Sequence, residues 1–351
     1  MTPPLNTAPL TRRSAATRLL AAGAAATFAS LPLGAYAQGG KALRKVRVQD
    51  MPKRWNGYEL LFLAQKKGLF EEFGLQVELV PLPIDQYTMA VDSGVVDFAL
   101  SADYIYFANI RAKGLKMKEV VCSNHLIDPA GAGDGLFVLA GSPIKTAKDL
   151  RGKKIGMRSV GFSSAWFTQD FLGRNGVKKG EAQFLTIPDL QLEQVLQTGA
   201  VDAVFAYGPI DGQLRKRGLY RQVFQISDLA GRRIQRGGAI AREAFIAQNP
   251  DIVRGFVSAL GKAGNHANRN PKEIVDLGVS LGRLDPAVAP LLYAKFDNGD
   301  FSALRFAEDG VIDPKDVQFW LDAAERHEVV PVGQLKVADL YTNEFNASVK
   351  G

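Results

Sequence analysis

One cysteine, three histidines and three tryptophans stand among the 351 residues of this chain, and each scarcity excludes something. A single thiol, Cys122, can form neither an internal disulfide nor a cysteine cluster. It sits in MKEVVCSN, an apolar strand-like run, where a buried small hydrophobe is expected rather than a nucleophile. His125, His266 and His327 are scattered, with no H-E-x-x-H or Cys–His spacing, and no hydrolase serine elbow or repeated carboxylate motif stands out. No catalytic residue, metal or cofactor is therefore expected. Nor is there a Lys/Arg block interleaved with aromatics, so nucleic acid is not an expected partner.

Long hydrophobic runs are missing too. The apolar stretch near the N-terminus is interrupted by Gly23, Thr27, Ser30 and Pro32, which argues against a permanent membrane helix. The same segment carries Arg12, Arg13 and Arg18 with no acid and reaches Ala35-Tyr36-Ala37, the pattern of a secretory signal peptide with an A-x-A cleavage site over residues 1–37. Arg12-Arg13 after Thr11 suggests the twin-arginine route, although Ser14, Ala15 and Ala16 follow where a bulky apolar pair is common; the general secretory path is the alternative. No cysteine lies near the cleavage site to carry a lipid anchor. Removal of residues 1–37 lowers the formal charge from +7 to +4, a surplus that speaks to solubility. A soluble periplasmic protein is the expectation.

What is present is a repeat. DSGVVDFALS at 92–101 returns as QTGAVDAVFA at 197–206, with Gly94 and Gly199, Asp97 and Asp202, Pro83 and Pro188, and Gln86 and Gln191 all 105 positions apart. From about Lys45 the pattern alternates: VRVQDM, LQVELVPL and VDFALS read as strands, and GYELLFLAQKKG and IDQYTMAVDSG as the helices between them. A second copy starts near Ser142, with strands KKIGMRS, AQFLTIP and VDAVFAY and helices FSSAWFTQDFLGRNG and DLQLEQVLQTG. Each copy is a βαβαβ unit of an open parallel sheet. Gly94 and Gly199 fill left-handed positions after a helix, and Asp97 and Asp202 are expected to bond local backbone amides before their strands. From about Glu243 the chain is mostly helical. GAGDG at 131–135 is too short for a dinucleotide loop.

Ligands of open α/β sheets sit beyond the carboxyl ends of the strands. That places Trp55, Asn56 and Tyr58, Asp85 and Gln86, and Ser101 and Asp103 on one side of a cleft, with Ser163, Ser164 and Tyr207 on the other. Trp55 and Tyr58 could wall a solute or simply pack at a lobe edge. Ser163 and Ser164 begin a helix, where a hydroxyl caps the helix or free N–H groups meet an anion. Asp103, with Asp85 and Asp134, points to a solute bearing an amine or other N–H donors, solvated loop acids being the alternative. Arg158 and Arg236 are the basic groups nearest the cleft, and either could clamp an oxyanion.

The pieces AQKKGLFEEFGLQVELVPL, SGVVDFALS, IKTAKDLRGKKIGMRSVGFSSAWF, LQTGAVDAVFAYGP and GGAIAREAFIAQNPDIVRGFVSAL resemble, in order, the substrate-binding proteins of ABC importers of the nitrate, taurine and aliphatic-sulfonate family. The resemblance covers most of residues 45–265. It implies a two-lobed periplasmic binding protein type II fold, α/β, each lobe an open, mostly parallel sheet flanked by helices. Lobe one would comprise 45–137 and 238–351, and lobe two 138–237, with crossings near Gly135–Ala140 and Arg236–Ile240 and the Gly237-Gly238 pair suited to a hinge. It implies a monomer that delivers an aliphatic sulfonate or taurine-like solute to permease transmembrane subunits and their ATPase. A thiamine-pyrimidine precursor or another nitrogenous molecule is the alternative solute. A pyrimidine synthase of the same fold family relies on His and a Cys-rich segment that this chain lacks.

Overall fold

Two units of the same strand–helix order carry the molecule. The computed structural model describes residues 42–51, 58–83, 86–100, 103–124, 126–127, 134–207, 209–287, 289–290 and 305–349. The expected signal segment, and Trp55, Asn56, Asp85 and Ser101, lie outside them.

In the first unit β1 (Arg44–Asp50) leads through α1 (Glu59–Lys66) and α2 (Leu69–Glu72) to β2 (Leu75–Pro81), which pairs parallel with β1 over seven residues. Then come α3 (Tyr87–Asp92), α4 (Tyr104–Ala112) and β3 (Met117–Val121). The expected strand VDFALS is reduced to single bridges, Phe98 with Val48 and Ala99 with Ile240. Those bridges link β1 to β9 (Ala239–Arg242), which pairs antiparallel with β3. The sequence of contacts is thus β2, β1, Phe98–Ala99, β9, β3.

The second unit contains β4 (Gly135–Leu139), β5 (Lys154–Met157), α5 (Ser163–Arg174), β6 (Gln183–Thr186), α6 (Leu192–Gln197), β7 (Ala203–Ala206), α7 (Pro209–Arg217), β8 (Tyr220–Gln225) and α8 (Ile226–Ala230). Its sheet runs β6-β5-β7-β4-β8: β6, β5 and β7 are parallel, as a βαβαβ unit requires, and β4 runs antiparallel to both its neighbours, β7 and β8. The first unit follows the same order of directions, with its two two-stranded sheets, β1-β2 and β3-β9, joined by the bridges at Phe98 and Ala99.

The repeat is structural. Gly94 and Gly199 sit at φ 74° and 72°, the left-handed conformation expected after α3 and α6. Asp97 and Asp202 play the same part, and it differs from the expected local turn. Each carboxylate accepts a backbone N–H of the neighbouring strand, Arg47 N within β1 at 2.8 Å and Lys154 N at the start of β5 at 2.8 Å. Each Asp N–H in turn donates to that residue's carbonyl, at 2.8 and 2.9 Å. Every Gly-x-Val-Asp therefore clamps two strands in register.

Helices α9 (Glu243–Gln248), α10 (Pro250–Arg269), α11 (Pro271–Ser280), α12 (Pro314–Arg326) and α13 (Val337–Leu340) complete the chain. Buried Val253, Phe256 and Leu260 of α10 pack with α1 on one face of the first sheet, where Phe256 stacks on Phe98 at 3.9 Å. The other face packs on α4 and α12, in a core that continues into the second sheet through Phe167 of α5, whose ring lies 4.8 Å from that of Trp320. A third cluster covers the far face of the second sheet, with Leu192, Leu196 and Leu214 over Val204 and Ala206. Helix α12 thus bridges both sheets, and Arg326 Nη1 donates to Asp170 Oδ1 at 2.9 Å to hold it to α5.

The segments on either side of the second unit adjoin: Ile127 and Ile234 form an antiparallel bridge, and Asn124 N donates to Gly237 O at 3.1 Å. Gly238 is required by close approach, since a Cβ there would fall inside contact distance of the Val121 carbonyl and the Ser123 N–H. Cys122 is buried as expected, and burial pushes its thiol well up. No helix among the described residues is long and apolar enough to cross a membrane.

Candidate functional site

The carboxyl ends of β5 and β7 deliver Arg158 and Tyr207 to one edge of the second sheet, directly beside the start of α5. The Arg158 guanidinium lies 4.5 Å from the centroid of the Tyr207 ring and 5.8 Å from that of Phe162, within the range of cation–π attraction. Asp189, just beyond β6, approaches Arg158 at 3.8 Å, too long for a hydrogen bond. Leu190, next in the chain, is 96% exposed.

The expected capping of α5 by Ser163 or Ser164 is not what the structure shows. Phe162 occupies the N-cap with extended backbone (φ −105°, ψ 172°), so the two serines are the first helical residues and no side chain of the segment caps it. Ser164 Oγ instead donates back to Ser159 O at 3.3 Å. The vacant acceptor position is filled from the first lobe: Ser163 N donates to Asp103 Oδ2 at 3.1 Å. Asp103 is at the same time the N-cap of α4, its Oδ1 accepting from Tyr106 N at 3.2 Å. One carboxylate therefore serves two helices, α4 and α5.

Aromatic rings surround this contact. Tyr106 meets Phe162 edge-on at 6.0 Å and Tyr87 at 5.9 Å. The Tyr87 hydroxyl is buried with no hydrogen-bond partner, and burial, with Asp103 and Tyr106 adding to it, raises its pKa well above the ordinary value. A buried hydroxyl without a partner costs about 1–3 kcal/mol.

Tyr58 is not a cleft wall. It is fully buried, donates its hydroxyl to Gln49 Oε1 at 2.6 Å, and has the Arg283 guanidinium 5.7 Å from its ring. Arg283 itself pairs with Asp50 at 3.1 Å and donates to Met51 O at 2.8 Å, so the end of β1 is secured by the segment after α11. Gln86 is exposed at the N-cap of α3, its N–H donating to Pro83 O at 3.1 Å. Arg236 is committed to buried Asp134 at 2.5 Å beside the crossing, which removes it as an oxyanion clamp.

Asp103, Ser163 and the Tyr207 edge are thus brought together, while Tyr58 and Arg236 are not. Sequence reasoning passed over Tyr87, Tyr106 and Phe162. Tyr106, three residues beyond an N-cap acid, was the available signal. A cavity of about 1400 Å³ lies elsewhere, between α10 and the C-terminal segment, with Lys118, Asn268, Arg305 and Tyr341 among its walls. Among the described residues no group of three or more His, Cys, Asp or Glu side chains could hold a metal ion.

A two-lobed α/β body with polar and aromatic groups meeting at strand ends defines the class of periplasmic binding protein folds. Comparison with known proteins agrees. The chain belongs to the NMT1/THI5-like family, whose model matches residues 57–274. It is similar to a binding protein of Brucella abortus, 26% identical over 249 residues that span 69% of this chain and 73% of that one. It is also similar to a 4-amino-5-hydroxymethyl-2-methylpyrimidine phosphate synthase of Schizosaccharomyces pombe, 26% identical over 58% of this chain and 60% of that one. Among solved structures, the periplasmic aliphatic sulphonate binding protein SsuA of Escherichia coli superposes with TM-score 0.67 at 20% identity, covering 88% of this chain and 94% of that one. The periplasmic nitrate-binding protein NrtA of Synechocystis PCC 6803 gives 0.66 at 15% identity, covering 86% and 87%.

Proposed function

We propose that this protein is the exported solute-binding component of an ABC importer, which holds a small organic solute between its lobes in the periplasm and presents it, as a monomer, to the permease and its ATPase. The observation that carries the reading is the Asp103–Ser163 hydrogen bond, which joins the two lobes at the carboxyl edge of the strands. Ligands of open α/β sheets collect at that edge, and hinge closure about it is how two-lobed binding proteins work. A solute that contacts both lobes shifts the population toward the closed form.

The solute that fits best has N–H donors for Asp103 and a flat or apolar body for Tyr106 and Phe162, a nitrogenous molecule in the range of a pyrimidine precursor. A sulfonate or taurine-like solute is the second reading, favoured by the Arg158 guanidinium over Tyr207. Binding rather than catalysis is supported by the described groups at this edge, which hydrogen-bond and stack, and by the similarity to binding proteins.

Native mass spectrometry of protein purified gently from its own cell envelope tests this. A bound mass released on mild activation is the expected result. Bare protein, together with an unmoved melting point across a panel of pyrimidines, sulfonates and nitrate, would remove the receptor reading.

A further inference from the structure

Helix α5 is twelve residues long, and its first turn presents N–H groups that its own segment leaves without a side-chain cap. Positive potential at that point comes from two sources, the helix terminus and the Arg158 guanidinium beside the N-cap Phe162. In most such arrangements the position would be open to a dissolved anion. Here it holds an anion that belongs to the chain, the Asp103 carboxylate at 3.1 Å from Ser163 N. Asp103 is fixed there by its second duty as the cap of α4. Beside it the buried Tyr87 hydroxyl, without a partner and in ring contact with Tyr106, leaves a donor or acceptor position unfilled.

We propose that Asp103 is the specificity-determining residue of the cleft: its carboxylate occupies the anion position at the start of α5, repels sulfonate- and nitrate-type oxyanions, and selects solutes that bring N–H donors. The proposal rests on the solute-receptor reading for its biological meaning, but its physical content does not need the solute. An oxyanion entering beside Asp103, which is part-buried, would place two negative charges within a few ångströms of each other, where they repel. A solute with N–H donors finds in the same carboxylate an acceptor with lone pairs to spare.

The test is calorimetric titration of sulfate and of methanesulfonate, at low ionic strength with chloride as control, into the wild-type chain, Asp103→Ser and Asp103→Asn. Serine keeps the α4 cap and is too short to reach Ser163; asparagine keeps size and removes charge. Wild type is expected to take up neither anion at millimolar concentration, and Asp103→Ser to bind sulfate at least about tenfold more tightly, a gain abolished by adding Arg158→Gln and weakened by salt. Should Asp103→Ser unfold, Asp103→Asn is expected to show a smaller gain of the same sign. Wild type binding sulfonate as tightly as the folded variants would overturn the proposal, as would a folded variant with no gain. Failure to find a co-purifying solute would count against the receptor function and leave this result standing.

Discussion

The two lobes share their framework and differ at their strand ends. Asp97 and Asp202 make the same backbone clamp 105 positions apart, and Gly94 and Gly199 take the same left-handed turn. At the cleft the correspondence fails. The residue 105 positions after Asp103 is Gly208, and the one 105 positions after Tyr58 is Ser163. An acid on one side thus faces a helix start and an arginine on the other. Residues that fix strand register answer to backbone geometry, which both lobes share; residues that meet a solute answer to its chemistry, and one solute has two different sides.

The crossing between the lobes is where a single change should do most damage. Gly238→Ala drives a Cβ into the backbone of β3, and a loss of about 3 kcal/mol or more, or failure to fold, is expected from such a clash; urea unfolding of the purified variant reads it. The clamps come next. Asp97, with its side chain 11% exposed, also pairs with Arg47 at 3.1 Å, whereas Asp202, which pairs with Lys153 at 3.4 Å, is 34% exposed. Asp97→Ala is therefore expected to cost about 2 kcal/mol and Asp202→Ala about 1, the difference following the desolvation of the N–H each leaves behind. Equal losses would mean that burial does not separate the two clamps.

Each lobe also buries an acid whose pKa is raised by its burial. Burial raises Glu119 of β3 to about 8, with the Tyr104 hydroxyl pulling the other way, and it raises Asp211 of α7 to about 8, opposed by Arg215. Glu119 lacks a well-formed hydrogen bond on either oxygen, while Asp211 accepts from Arg215 Nε at 3.0 Å. An acid raised in the folded state stabilises below its unfolded value and loses that contribution as pH climbs through the folded one. Melting temperature should therefore fall between about pH 5 and pH 8. Glu119→Gln should flatten the fall and gain roughly 3 °C at pH 8, on the order of 1 kcal/mol, whereas Asp211→Asn, which removes the carboxylate that Arg215 pairs with, should not. Parallel behaviour of the two variants would show that the arginine does not distinguish them.

The smallest contrast lies between the paired glycines. Both pay the left-handed penalty of about 1 kcal/mol on substitution by alanine, but a Cβ at Gly94 also meets the Arg242 guanidinium at 2.9 Å, while nothing lies within 4 Å at Gly199. Gly94→Ala should lower the melting temperature by a degree or two more than Gly199→Ala.

Periodicity made the βαβαβ units, the turn glycines and the C-terminal helices legible, because each follows from spacing along a short segment. The strand VDFALS was over-read: Phe98 and Ala99 make one bridge to each side, since the chain turns away once its register is clamped. At the start of α5 the sequence leaves a serine cap and an anion on free N–H groups both open, because it cannot reveal an acceptor sixty residues away. Tyr58 looked like a lid because its partner Arg283 lies more than two hundred positions later. What sequence missed at the site was in each case a contact made in space by distant segments.

Distance between the lobes, read by double electron–electron resonance, bears most directly on the claim that solute is held between them. Met89 of the first lobe and Leu190 of the second are 60% and 96% exposed, and Cys122 is buried, so Met89→Cys with Leu190→Cys would take spin labels selectively. Adding the solute recovered from native protein should shorten and narrow the distance distribution. A distribution unchanged at saturating solute, with binding verified by calorimetry, would contradict capture between the lobes.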